Sequence, residues 1–235
     1  MVFGLISYPR SGNTLLRLLL AKVFEVDTMS IHDTDDSGAL HKEIGDEIRH
    51  VCLPQELDPT KNYFLKSHNI EYVGFSKVIY VVRDGRCACV SYYHHLNDNG
   101  RPTSYDEVFN GVVYGSWSFH LDIWMNVVRS EPTSDKLLLR YEDMINNPDL
   151  IIEQLSAFCE LQPKNKWVNE FDRLHRTNPQ FFRKGDNEAS IMEFNSLEEE
   201  SKNTFWTLHS RWMSELNYET GIPNQKSTIH EGKEI

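Results

Sequence analysis

Short apolar runs recur along the chain, and a helical pattern follows most of them. The runs predict four strands, which are Val2–Ile6, Tyr63–Lys66, Lys77–Val82 and Lys136–Arg140. Continuous apolar runs of this length are typical of parallel strands that are buried on both faces. Helices are predicted after the first, third and fourth runs, at Thr14–Phe24, Cys87–His95 and Pro148–Cys159. This alternation of strands and helices favours a layered α/β fold.

The rest of the chain divides into polar stretches and longer helical patterns. We predict helices over Thr103–Arg129, which is rich in aromatic residues, over Trp167–His175 and over Leu197–Leu216, and a loop over Asn178–Glu193. Asn195 or Ser196 is expected to cap the last helix. The chain is polar between Thr28 and Asp58, where the pattern predicts no element, and again after Tyr218, where we expect a loose tail.

The composition is that of an ordinary globular protein. Hydrophobic residues make up 40% and charged residues 25% of the 235 positions, which excludes wholesale disorder and fits one large domain over residues 1–235, with residues 219–235 as its tail. Lys and Arg number 24 against 35 Asp and Glu, for a formal charge of −11. An acidic surface repels phosphate backbones, so we expect no nucleic-acid partner and place any anion site in a local basic cluster.

The cysteines and the N-terminus favour a protein of a reducing compartment. The four cysteines, Cys52, Cys87, Cys89 and Cys159, contain no CxxC spacing, and we expect reduced thiols. There is no run of 18 apolar residues that predicts a membrane span, and no basic segment precedes the apolar start as in a secretory signal. We therefore expect a cytoplasmic protein with no membrane span. The sequence offers no clear set of metal ligands, so no metal is expected either.

A first polar motif, Ser7-Tyr8-Pro9-Arg10-Ser11-Gly12-Asn13-Thr14, joins the first strand to its helix. A glycine-containing turn that leads into a helix presents free backbone N–H groups to an anion, and Arg10 adds a positive charge. The Walker pattern GxxxxGK[ST] is missing, because no lysine follows Gly12. The alternative interpretation is an ordinary turn with a glycine and a capping serine.

Two further motifs stand at the ends of the second and third strands. Lys66 and His68 are two residues apart, so on an extended strand they point to the same side, where the lysine would keep the histidine neutral as a general base. Arg83 ends the third strand, and Ser91 lies two turns into the following helix, where the two side chains can share a phosphate. The alternatives are a surface lysine with a solvated histidine, an Arg83–Asp84 charge pair and a serine bonded to its own helix.

Taken in chain order, these segments resemble the motifs of the sulfotransferase family, which uses 3′-phosphoadenosine 5′-phosphosulfate (PAPS), and most closely those of its cytosolic-type branch. The segments are SYPRSGNT, LKSH, VVRDGRCACVSYYH, YGSWSFHLDIW, RYEDM and FFRKG. The resemblance extends from about Phe3 to Tyr218. It implies a P-loop-like, three-layer α/β fold with a central, mainly parallel sheet flanked by helices. It also implies sulfuryl transfer to a hydroxyl or amine of a small-molecule acceptor, with PAPS as co-substrate and 3′-phosphoadenosine 5′-phosphate (PAP) as product.

The resemblance assigns roles to individual residues. His68 matches the general base, Lys66 matches a lysine that contacts the transferring group, and Arg10 takes the place of the loop's usual lysine. The residues that match cofactor contacts are Arg10, Ser11, Gly12, Asn13 and Thr14 at the 5′-phosphate, Arg83, Ser91, Arg183, Lys184 and Gly185 at the 3′-phosphate, and Tyr141 and Phe171 at the adenine. The implied reaction is an in-line displacement without a metal, in which His68 takes the acceptor's proton and the cations stabilise charge.

The chain departs from the family pattern at several positions. Arg10 replaces a lysine and Asn13 a hydroxyl residue, while Leu15 and Ser190 stand where a tryptophan is usual, which puts ring stacking in doubt. The segment KxxxTVxxxE, which forms the family's dimer contact, is absent from this sequence, so the oligomeric state is not predicted.

Two other functional classes remain open at this point. A P-loop kinase or NTPase would need the missing lysine and a magnesium ion, and a non-catalytic protein of the same fold would bind the nucleotide without turning over an acceptor. His120 lies among aromatic residues. It either contacts the acceptor or is a buried histidine that packs in a helix interface. The aromatic segment favours an acceptor with an apolar or ring-bearing portion.

Overall fold

Among the residues that the structure describes, the central sheet has five strands, all of them paired in parallel. The computed structural model describes residues 1–30, 58–71, 74–169, 173, 175, 176 and 187–218. The strands are β1 (Val2–Ser7), β2 (Met29–Ser30), β3 (Tyr63–Ser67), β4 (Lys77–Val82) and β5 (Lys136–Arg140). Their order across the sheet is β2-β3-β1-β4-β5. The four predicted strands are confirmed, and β2 is an addition of two residues at the edge.

Helices connect the strands and cover both faces of the sheet. They are α1 (Asn13–Phe24), α2 (Gly85–Asp98), α3 (Tyr105–Asn110), α4 (Trp117–Arg129), α5 (Tyr141–Asn146), α6 (Pro148–Cys159), α7 (Asn187–Asn195) and α8 (Glu199–Glu215). Asp84 caps α2 by accepting a hydrogen bond from the backbone N–H of Arg86, at 2.9 Å. The helices predicted after three of the strands are therefore confirmed.

The alternation of side chains along the strands divides the core into two layers. In β4, Ile79 and Val81 pack with leucines of α1 and with α6, whereas Val78, Tyr80 and Val82 pack with α2, α4 and α8. Successive side chains of a strand point to opposite faces, and both sets are buried, which explains the unbroken apolar runs. The predicted three-layer α/β fold is confirmed.

Several predictions of local structure are wrong or differ in their bounds. The pattern over Thr103–Arg129 is split between α3 and α4 by a turn, in which Gly111 and Gly115 have positive φ angles of 109° and 76°. The prediction over Trp167–His175 is wrong at its start, since residues 167–169 are not helical, whereas Arg173 and His175 are helical as predicted.

Two further errors concern the end of the predicted loop and the cap of the last helix. Residues 187–193 belong to α7, which buries Phe194 against Phe109 and Phe205. Neither Asn195 nor Ser196 caps the last helix, because α7 ends at Asn195 and the Ser196 hydroxyl donates to the Glu193 carbonyl at 2.7 Å. Glu198 occupies that cap position without a side-chain hydrogen bond. The predicted tail and most of the stretch between Thr28 and Asp58 lie outside the described residues.

Candidate anion-binding and catalytic site

The candidate residues follow three strands that are neighbours in the sheet. Ile6 of β1 pairs with Ser67 of β3, and Ser7 pairs with Val81 of β4, so the three strands end at the same level. The first motif, His68 and Arg83 come directly after these ends. Parallel α/β proteins bind ligands outside the carboxyl ends of their strands. The topology thus brings the predicted motifs to one edge of the sheet.

The turn between β1 and α1 has a backbone that only particular residues adopt. Gly12 precedes the helix with φ 105°, and Arg10 has φ 63°. A Cβ on Gly12 would lie 2.5 Å from Cδ2 of Tyr141, so glycine is required here for space as well as for its φ angle. Helix α1 has no side-chain cap and no acidic residue in its first turn. Its N-terminal N–H groups are therefore arranged to receive an anion.

The polar side chains of this turn fit a phosphate or sulfate group in different ways. The Ser11 hydroxyl is buried and has no hydrogen-bond partner among the described residues, so it is available to an anion. The Asn13 side chain instead points back to the sheet, where its Nδ2 donates to the Leu5 carbonyl at 2.8 Å. Asn13 therefore anchors the turn with its side chain and offers the anion its backbone N–H, as does the half-buried Thr14.

His68 lies just beyond β3 with one ring nitrogen fixed by the main chain. Its Nδ1 is 2.7 Å from the Ser7 carbonyl oxygen. A carbonyl can only accept, so Nδ1 carries the hydrogen and the lone pair of the neutral ring is on Nε2. The Tyr114 ring lies beside His68, with 5.6 Å between centroids. Lys66 is 6% exposed, so it is not the surface lysine of the alternative interpretation.

His120 is fully buried and supports the backbone at His68. The Tyr80 hydroxyl donates to its Nδ1 at 2.9 Å, and its Nε2 donates to the His68 carbonyl at 3.2 Å. Burial lowers the pKa of His120 to about 3, so the ring is neutral. Both ring nitrogens are engaged within the protein, which favours the packing interpretation over an acceptor contact. The link from Tyr80 through His120 to His68 was not predicted, since no sequence spacing connects these three positions.

Buried histidines make the folded protein sensitive to mild acid. Burial lowers the pKa of His120 to about 3 and that of His209 to about 4. In the unfolded chain both take up a proton near pH 6.5, so the unfolded state binds more protons as the pH falls below that value. We expect the free energy of unfolding to drop by up to about 1.4 kcal/mol per histidine for each pH unit below 6.5. Urea unfolding at pH 7.5 and pH 5 measures this.

The control for that prediction compares a variant of the buried His209 with a variant of a more exposed histidine. Replacing His209 with glutamine should flatten the pH dependence, because one of the two buried groups is gone. The same change at His95, which is partly exposed, should leave the slope as it is. Equal unfolding free energies for the wild type at the two pH values would contradict the assignment.

Arg83 joins the turn to the motifs of β4 and β5. Its Nη1 donates to the Arg10 carbonyl at 3.0 Å, and its guanidinium lies 4.3 Å from the centre of the Tyr141 ring. The Arg10 side chain in turn donates from Nε to the Ser91 hydroxyl at 3.3 Å. The structure therefore brings together Arg10, Ser91, Arg83 and Tyr141, which are far apart in the sequence.

The alternative interpretations of this motif do not hold. Asp84 forms its ion pair with Arg86, at 2.6 Å, and not with Arg83. The Ser91 hydroxyl accepts its hydrogen bond from Arg10, which belongs to another element. Arg83 is buried, yet no acidic residue among the described ones forms a salt bridge with it. A buried cation without a paired carboxylate is suited to an anionic ligand.

One polar contact of Arg83 was missed from the sequence. Asn187, the first residue of α7, accepts hydrogen bonds at Oδ1 from Nε and Nη2 of Arg83, at 3.0 and 2.6 Å. Its Nδ2 donates to Oε1 of Glu142 at 3.3 Å. Asn187 falls in the segment predicted to be a loop, and a single asparagine carries no motif by which it could be recognised.

Several of the predicted cofactor contacts lie outside the described residues: Phe171, Arg183, Lys184 and Gly185. Within the described part of the chain, no helix has the length and apolar character that crossing a membrane requires. Across the same residues, no three His, Cys, Asp or Glu side chains come together as a metal site would need. Cys87 and Cys159 are buried free thiols, and burial raises the pKa of each to about 12.

Comparison with known proteins identifies the family. A model of the sulfotransferase domain matches residues 3–216. Sulfotransferase 4A1 of Homo sapiens is 30% identical over 173 residues, or 66% of this chain and 58% of that protein. Sulfotransferase 1B1 of Canis lupus familiaris is 32% identical over 109 residues, or 43% of this chain and 35% of that protein. The matches thus span less than two thirds of the length of these curated relatives.

The fold agrees with that of a solved member. Mouse sulfotransferase SULT7A1, determined in complex with PAP, superposes with a TM-score of 0.63 at 20% identity, over 91% of this chain and 84% of that chain. At this identity the likeness concerns the fold, which is the parallel sheet with helices on both faces described above. Since the family's domain model also covers nearly every described residue, the chain belongs to the sulfotransferase family.

Proposed function

We propose that this chain is a PAPS-dependent sulfotransferase that moves a sulfuryl group to a hydroxyl or amine of a small molecule. The observation that carries the proposal is a juxtaposition at one edge of the sheet. A turn with free N–H groups at the start of α1 lies beside the buried Arg83, with which no described carboxylate forms a salt bridge. His68 stands at the neighbouring strand end with its proton fixed on Nδ1. Family membership supports this choice of reaction.

We assign the nucleotide to the residues that the structure groups around the turn. The backbone N–H groups at the start of α1 and the Ser11 hydroxyl would hold the 5′-phosphosulfate. Arg83 and Ser91 would hold the 3′-phosphate. Tyr141 would contact the adenine, and its ring also packs on the Arg83 guanidinium. PAP in the solved relative SULT7A1 supports this assignment by analogy of fold.

PAPS, when bound, supplies an activated sulfuryl group. His68 would accept the proton of the acceptor's hydroxyl at Nε2, because Nδ1 already carries a hydrogen and donates it to the Ser7 carbonyl. The imidazolium formed in this way would be stabilised by that same carbonyl. Lys66 and Arg10 would neutralise negative charge at the transferring group and at the leaving phosphate. These cations take the place that a metal ion has in many phosphoryl-transfer sites.

The surroundings of His68 favour an acceptor with a ring or an apolar portion. The Tyr114 ring stands beside His68, and the turn that carries it exposes Val113. Apolar surface next to a base is what a small phenol or alkyl alcohol needs in order to bind with its hydroxyl at Nε2.

A calorimetric titration tests the proposal against its alternatives. PAP is titrated into the protein in parallel with AMP and with ATP plus magnesium. We expect PAP to bind much more tightly than AMP, because only PAP has a 3′-phosphate for Arg83. Equal or tighter binding of magnesium-ATP would overturn the proposal in favour of a phosphoryl-transfer enzyme. PAP binding without transfer from PAPS to any of a panel of phenols, alcohols and amines would favour a non-catalytic nucleotide-binding protein.

A further inference from the structure

The Arg83 guanidinium is held on two sides by oxygen atoms of other elements. Asn187 Oδ1 accepts from both Nε and Nη2, and the Arg10 carbonyl accepts from Nη1. A guanidinium has five N–H groups, so these three contacts leave one on Nη1 and one on Nη2. The N–H groups that remain on Nη1 and Nη2 can donate to oxygens of a phosphate.

Asn187 is itself oriented by a carboxylate. Glu142 accepts at Oε1 from Asn187 Nδ2 and from the Asp84 backbone N–H, at 3.3 and 3.1 Å, and at Oε2 from the Tyr218 hydroxyl, at 3.1 Å. The carboxylate can only accept, and the guanidinium can only donate. The amide of Asn187 therefore faces Glu142 with its NH₂ and Arg83 with its oxygen.

Helix α7 fixes the place of this amide. Glu193, one and a half turns farther along α7, accepts hydrogen bonds from the Tyr105 hydroxyl and from His94 Nε2, the latter at 2.6 Å. Phe194 is buried among the aromatic residues of α3 and α8. Asn187 is thus attached to a helix that contacts α2, α3 and α8, which makes it a fixed support for Arg83.

A neutral amide in this position has an electrostatic consequence. If Glu142 bonded Arg83 directly, the pair would neutralise each other and weaken the attraction of Arg83 for an anion. Asn187 passes a hydrogen bond from Glu142 to Arg83 without transferring charge, so the guanidinium is oriented and keeps its positive charge for a ligand.

We infer that Asn187 is a positioning residue, which aims the Nη1–Nη2 edge of Arg83 at the 3′-phosphate of the nucleotide. The inference rests on the proposed function, because it assumes that PAP occupies this site. It assigns no contact between Asn187 and the nucleotide. Loss of Asn187 should therefore lower the affinity for a ligand that has a 3′-phosphate and leave unchanged the affinity for a ligand that lacks one.

The test is calorimetric titration of the Asn187→Ala variant with PAP and with AMP. We expect PAP to bind roughly tenfold more weakly than to the wild type, as for loss of a hydrogen bond to a charged group, while AMP affinity stays within about twofold. Asn187→Asp should weaken PAP binding more than Asn187→Ala does, because a carboxylate would neutralise Arg83. This second variant is nearly isosteric, so it also serves if the alanine variant fails to fold.

The matched control is Asn195→Ala, which removes an exposed asparagine at the other end of α7. It should leave both affinities unchanged. Tighter PAP binding by Asn187→Ala would overturn the inference and show that Asn187 competes with the phosphate for Arg83. Equal losses of affinity for PAP and AMP would overturn the inference too, because Asn187 would then have only a structural role. Absence of PAP binding by the wild type would overturn the proposed function and this inference with it.

Discussion

Replacing His68 with alanine is expected to lower the rate of sulfuryl transfer by at least about 10²–10⁴-fold, the usual contribution of a general base. The imidazole is positioned for this role by its hydrogen bond to the Ser7 carbonyl, which leaves Nε2 as the proton acceptor. Affinity for PAP should stay within about twofold of the wild type, because the cofactor contacts proposed above do not include His68. The measurement is transfer of labelled sulfate from PAPS to a simple phenol, alongside calorimetric titration with PAP.

A second variant separates loss of the base from loss of local structure. In His68→Asn, the amide NH₂ can still donate to the Ser7 carbonyl, but no group remains at the position of Nε2. We expect this variant to bind PAP like the wild type and to be as inactive as the alanine variant. His95→Ala, which removes a partly exposed histidine from α2, is the matched control and should keep full activity. Near-wild-type turnover by either His68 variant would refute the assignment.

Replacing Arg83 with alanine is expected to weaken PAP binding by roughly 100-fold, because removal of one partner of a buried charged contact costs about 2–5 kcal/mol. Arg83 is buried, stacked on Tyr141 and fixed by the Arg10 carbonyl. AMP lacks the 3′-phosphate, so its affinity should change by no more than a few fold. Calorimetric titration of the variant with both nucleotides gives the two values.

The geometry of the guanidinium makes lysine an informative second substitution. Arg83→Lys keeps the charge but loses the fork of N–H groups, so we expect an affinity for PAP between those of the wild type and the alanine variant. Arg101→Ala, which removes an exposed arginine beyond the end of α2, should leave PAP binding unchanged. A uniform loss of affinity for PAP and AMP in Arg83→Ala would mean that Arg83 does not discriminate the 3′-phosphate.

The layered fold was predictable from the sequence because burial acts on every residue of the central strands. Each side chain of β4 meets helices on one face or the other, so its apolar run is unbroken. The short edge strand β2 leaves no such signal, since two residues do not make a pattern. The break between α3 and α4 depends on two glycines with positive φ, and the helical pattern on either side of them obscured it.

The grouping of Arg10, Lys66, His68 and Arg83 was likewise predictable, because the ends of adjacent parallel strands must meet. The residues that hold these side chains in place were not predictable. His120 reaches the His68 backbone from α4, and Asn187 reaches Arg83 from α7. Such contacts depend on how separate helices pack against the sheet, and packing of this kind leaves no spacing in the sequence that would mark the residues involved.

The position of β1 in the sheet has a consequence for biosynthesis. This strand is synthesised before its partners β3 and β4: Val2 pairs with Tyr63 and Phe3 with Lys77. The apolar side chains of Phe3, Leu5 and Ile6 therefore leave the ribosome long before either neighbour exists. Non-local parallel pairing is slow, and an unpaired apolar strand is open to aggregation. The yield of native protein should consequently depend on how soon translation passes Val82 and on whether a chaperone covers β1 until then.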